Sequence, residues 1–165
     1  MATANFNQQG NRPHQQGGGQ SQRQDRYQAP STIGNKTFEE WKPLIQNWIT
    51  NGISKETIIY ADGMGKKLKE EGLTTSQIRN VFGEMRKIQM NGFEGEKASF
   101  LLLRPKLAYA VKRQNAKGME AFYDLFCVAY DAVDTDNAQA ASKQFDQLLQ
   151  IMEAVLAYHK YHGGQ

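Results

Sequence analysis

Residues 73–92 read LTTSQIRNVFGEMRKIQMNG, and they carry a complete set of helix instructions. Thr74 followed three positions later by Gln77 is a capping box, in which each residue satisfies a backbone group that the first helical turn leaves without a partner. Leu73 before the cap and Ile78 at the fourth helical position form a hydrophobic staple that sets the entry of the chain. Ile78, Val81, Phe82, Met85 and Ile88 recur at helical spacing and make one apolar stripe. Asn91-Gly92 closes the helix, because glycine accepts the left-handed backbone that a helix end requires. A helix with one apolar stripe must bury it against another layer, so the fold question becomes what the rest of the chain offers.

The flanking sequence offers more helices. Thr37-Phe38-Glu39-Glu40 is a second capping box, opening a helix with Trp41, Leu44, Ile45, Trp48 and Ile49 on one face. Pro43 stands near its first turn and would delay its start; Asn51-Gly52 ends it. Ser54 caps the next helix, with Ile58, Ala61, Met64 and Leu68 as its apolar side and Gly72 as its stop. Gly63 and Gly65 inside it each cost about 1 kcal/mol relative to alanine, but would admit a close helix crossing. A fourth helix is expected over about Gly95–Leu103, with a kink or an end and restart at Pro105, which lacks a backbone donor. A fifth spans about Gly118–Val133, and after the polar turn Asp134–Asn137 a last one runs to about His159. Alternating strand patterns are absent. The reading is an all-α fold, a compact bundle of five to six helices over residues 37–165.

Residues 1–36 differ in kind. Gln, Gly, Asn and Ser dominate, with Phe6 and Tyr27 the only aromatics, and such a segment buries too little apolar surface to offset its ordering entropy. It is expected to be a disordered arm of net charge +3, from Arg12, Arg23, Arg26 and Lys36 against Asp25. The remainder is neutral in sum but divided. Residues 60–117 hold twelve Lys/Arg against six Asp/Glu, net +6, and residues 118–165 hold two against seven, net −5. No apolar run approaches the roughly 18 residues of a membrane span. The chain also lacks a basic-then-apolar secretory start, so a cytoplasmic protein is expected.

The candidates for catalysis are weak. Cys127, the single cysteine, lies between Phe126 and Val128 without a base at hand, so it reads as a small buried hydrophobe. His159 and His162 supply two ligands where zinc needs three or four, and read as surface residues at a fraying helix end. Asp131, Asp134 and Asp136 read as a solvated turn, having neither the loop of a calcium site nor a companion phosphate loop. Gly63-Met64-Gly65-Lys66-Lys67 has the wrong spacing for a phosphate-binding loop. No enzyme, cofactor or metal is expected.

The basic stripes say more. Arg79, Gly83 and Arg86 follow one another along the third helix, with Lys87 beside them. A glycine between two guanidiniums lets a phosphate backbone come close. After Pro105, Lys106, Tyr109 and Arg113 share a face, pairing cations with an aromatic ring able to stack on a base. Lys66, Lys67 and Lys69 add positive charge. A molecule divided into basic and acidic regions also suits head-to-tail association into a filament.

Three segments bring a family to this chain. Leu73–Arg79, Leu103–Ala110 (LRPKLAYA) and the closing stretch from Phe145 to Lys160 stand in the order and spacing of the small subunit of the type III-A CRISPR effector, the Csm complex, which this chain resembles. The resemblance covers roughly Ile53–Lys160 and does not extend to the Gln-rich arm. It implies a non-catalytic helical subunit, stacked in several copies beside the guide RNA–target RNA duplex and in contact with the backbone and large subunits of the complex. It further implies RNA contact at Gln77, Arg79, Arg104, Lys106, Tyr109 and Arg113. Arg86, Lys87, Lys66, Lys67 and Lys69 join that candidate set on charge alone. The alternative is a pure protein–protein scaffold that touches no RNA.

Overall fold

The computed structural model describes residues 31–165. The capping box at Thr74 forms: the Thr74 backbone N–H donates to Gln77 Oε1 at 2.8 Å, and α3 runs Thr75–Asn91 to Gly92, whose φ is 89°. Leu73 and Ile78, the staple pair, are both buried. The box at Thr37 forms as well, with the Thr37 N–H donating to Glu40 Oε2 at 2.7 Å, and α1 spans Phe38–Asn51. Pro43 therefore does not delay the start. It sits on the exposed side of α1, where water can serve the carbonyl that its missing N–H leaves free. In α2, Lys55–Glu70, the Ser54 N–H donates to Thr57 Oγ1 at 2.8 Å. The buried side of α2 is Thr57, Tyr60, Ala61, Met64 and Leu68, while Ile58 is exposed, contrary to expectation. Tyr60 turns that face inward by packing on Trp41 and Trp48, with ring centroids 5.0 and 5.8 Å away.

The second departure concerns Pro105. After a single 3-10 turn at Phe93–Glu96, α4 runs without interruption from Lys97 to Gln114, through the proline. A proline removes the hydrogen bond to the carbonyl four residues earlier, here that of Leu101. The Tyr130 hydroxyl donates to that carbonyl at 3.2 Å, so a side chain from the next helix fills the gap in the ladder. α5 spans Lys117–Asp131, and α6, capped by Asn137 Oδ1 accepting from the Ala140 N–H at 3.1 Å, spans Ala138–Tyr161.

α6 is the central strut, packed on α1, α2, α5 and the 3-10 turn. Its broadest contact is with α2, where the two backbones touch at Gly65: a Cβ there would lie 2.6 Å from the His159 backbone nitrogen. One core joins all six helices. Phe93, Phe100 and Phe145 knit the 3-10 turn, α4 and α6 together with ring centroids 5.1–5.7 Å apart. The chain before α1 adds a minimal hairpin, β1 (Thr32–Ile33) paired antiparallel with β2 (Lys36–Thr37). Ile33 is buried beside Gly63, and its carbonyl accepts from Trp41 Nε1 at 3.1 Å. Residues 31–36 of the expected arm are thus part of the body; its residues 1–30 lie outside the described residues.

His159 corrects another expectation. It is fully buried, and its Nε2–H donates to the Leu73 carbonyl at 2.7 Å, tying the end of α6 to the start of α3. The helix continues to Tyr161, and the chain then turns back so that Gly164 lies against the imidazole. The Nε2 bond offsets part of the cost of burying the ring, while Nδ1 has no partner among the described residues.

Candidate nucleic-acid interface

α3 carries its buried stripe of Ile78, Val81, Met85 and Ile88 against the core, which leaves a polar stripe on each flank. Each stripe faces a neighbouring helix across a groove. On one side Arg79, Gly83 and Arg86 of α3 face Glu153, Ala157 and Lys160 of α6 across a groove of about 630 Å³ floored by Ile78, Phe82 and Leu156. On the other side Gln77, Asn80 and Glu84 face Lys106, Tyr109 and Arg113 of α4 across a groove of about 370 Å³. Seven of the eleven expected contact residues therefore flank a single helix: Gln77, Arg79, Arg86, Lys106, Tyr109 and Arg113 line the grooves, and Lys87 is exposed on α3 itself.

The other four stand apart. Arg104 turns toward α5, where it pairs with Asp131 at 2.6 Å and lies 5.6 Å from the centre of the Tyr130 ring. Lys66 lies on α2 near Glu70 at 3.9 Å. Lys67 bonds both Glu71 and Ser31 Oγ at 2.9 Å. Lys69 is exposed on the same helix.

Ion pairing divides the groove cations further. Arg86 pairs with Glu153 across the α3–α6 groove, and Lys106 pairs with Glu84 at 2.7 Å across the α3–α4 groove. Arg79, Arg113 and Lys160 enter none of the ion pairs among the described residues. Exposed pairs of this kind are worth only about 0–1 kcal/mol, so a polyanion can compete for the paired cations, while the unpaired ones are available at no such cost. Lys160 was missing from the sequence-based set. Its signal lies in the periodicity of α6: with Val155 and His159 buried, the next position faces outward beside α3.

The structure places the side chains that the sequence raised as candidates for chemistry in other contacts. Burial pushes the Cys127 thiol above its ordinary pKa, and the thiol is only partly accessible. His159 is committed to Leu73, and His162 donates from Nε2 to Asp62 Oδ1 at 2.6 Å, so the two imidazoles serve separate contacts. Among the described residues no three His, Cys, Asp or Glu side chains come together as a metal ion would need. No helix among them is long and apolar enough to cross a membrane.

The family model for Csm2 Type III-A matches residues 53–165. The chain belongs to the Csm2 Type III-A family. It is accordingly a small subunit of the type III-A Csm complex, as the three sequence segments suggested. The match begins just before α2 and takes in α3, α4 and α6, hence both grooves; the hairpin and α1 precede it. Neither the curated proteins nor the solved structures yield a match.

Proposed function

We propose that this Csm2 family member is a non-catalytic subunit that holds the guide RNA–target RNA backbone without reading its sequence, acting in the cytoplasm within the type III-A complex. The observation that carries this reading is the α3–α6 groove. Two cations that enter no ion pair among the described residues, Arg79 and Lys160, stand on its opposite walls, and Gly83, one turn along α3 from Arg79, has nothing within 4 Å of where a Cβ would stand. A phosphate can approach the helix backbone there between two charges, and phosphate contacts position a nucleic acid without specifying its sequence.

Copies of the chain would stack head to tail, which needs two different patches on each copy. Ile58 and Ile59 on α2 and Leu101 and Leu102 on α4 are exposed apolar pairs on separate elements and would supply them, alongside contacts to the backbone and large subunits. Arg104 stands outside both grooves, paired with Asp131 and beside the Tyr130 ring, so it is not part of this proposed backbone contact.

The test is Arg79→Ala with Lys160→Ala in the assembled, guide-loaded complex, titrated with target RNAs of unrelated sequence. Affinity should fall equally for all of them. The slope of log affinity against log salt should flatten by about 0.7–0.9 for each phosphate no longer neutralised. Unchanged affinity and slope would refute the assignment.

A further inference from the structure

We propose that the second groove, between α3 and α4, receives one unpaired nucleobase of the bound RNA, stacked on Tyr109. The proposal rests on the RNA-holding reading above and adds a second kind of interaction to it. Tyr109 is 68% exposed, so its ring contributes little to the core and is left on the surface beside the groove. An aromatic face presented this way is a stacking platform for any base, because every base has a π-face.

The walls suit a base better than a phosphate. Glu84 lies in the groove and engages Lys106 at 2.7 Å, which leaves Arg113 as the groove cation outside any ion pair among the described residues. The amide groups instead offer what a base edge needs. Gln77 spends its Oε1 on the Thr74 N–H, which leaves its NH₂ free to donate. Gln114, at the end of α4, also lines the groove and adds a second side-chain amide to its wall. Arg113, unpaired and one turn beyond Tyr109, is available to the phosphate attached to that base. A base inside a duplex has both faces covered by its neighbours, so the groove selects a nucleotide that has left the stack.

The guide-loaded complex would be titrated with target RNAs carrying 2-aminopurine at successive single positions. Paired positions are quenched by their neighbouring bases whatever stands at residue 109; at one or a few positions the quenching is expected to depend on that residue, the probe brightening with Tyr109→Ala and staying quenched with Tyr109→Phe. Affinity should fall about 5- to 150-fold in the alanine variant for each base that can no longer stack. If no position responds to residue 109 while Arg79→Ala with Lys160→Ala still weakens binding, the base site is refuted and the backbone-holding reading survives. If neither set of substitutions affects RNA, both fail. If Tyr109→Ala instead prevents assembly without changing any fluorescence, the ring meets a protein neighbour and the proposal is overturned.

Discussion

Gly65→Ala asks whether the α2–α6 crossing is as close as its geometry says. The added Cβ would lie 2.6 Å from the His159 nitrogen, 2.7 Å from Tyr158 Cβ and 2.8 Å from the Tyr158 carbonyl carbon, where ordinary contacts begin at 3.4 Å. Two of those three atoms are backbone, so no rotamer change relieves the clash and the helices must separate by nearly 1 Å along their broadest contact. Overpacking of this kind costs about 1–3 kcal/mol, and more where backbone must move. Alanine returns about 1 kcal/mol of helix propensity. The net expectation is a loss of about 2 kcal/mol, or a fall in Tm of about 4–8 °C for a chain of this size. Gly83→Ala is the matched control: the residue is exposed in α3, its Cβ meets nothing within 4 Å, and it should gain about 0.5–1 kcal/mol. Urea unfolding of the full chain measures both, with equal m-values required for the comparison. If Gly65→Ala is as stable as the parent, or moves with Gly83→Ala, the crossing is looser than described and the reasoning fails.

Two further outcomes follow from single hydroxyls. Tyr130→Phe should cost about 0.5–1 kcal/mol by removing the bond to the Leu101 carbonyl and leaving it to water, and much less in a Pro105→Ala background that restores the backbone donor. A double-mutant cycle by urea unfolding reads that coupling, and equal costs in both backgrounds would contradict the account of α4. Tyr60→Phe should stabilise the protein by about 1 kcal/mol, because the Tyr60 hydroxyl is buried without a partner. Burial also raises the pKa of Tyr60, so stability is fully present below the unfolded value of about 10 and is lost as pH rises beyond it. The parent should therefore weaken faster than Tyr60→Phe between about pH 9 and 11; parallel curves would show that Tyr60 ionises alike in both states.

The helices were legible where their signals are local. Thr37 with Glu40, Thr74 with Gln77, the stripe of α3 and the stops at Gly52 and Gly92 each act within one or two turns, so neighbouring residues suffice to specify them. The sequence likewise marked the cations on either flank of α3, because helical periodicity alone separates them from the buried stripe. The tertiary fold decided what depends on partners far along the chain. Tyr130 keeps α4 whole at Pro105, and Trp41 with Gly63 folds residues 31–36 onto the body. Tyr60 sets which side of α2 is buried, and Leu73 takes up His159. The same holds for charge: Glu153 and Glu84 engage Arg86 and Lys106, and leave Arg79, Arg113 and Lys160 without an ion pair among the described residues. A hydrogen bond or ion pair depends on distance in space, and for residues on different helices only the packing of the core sets that distance.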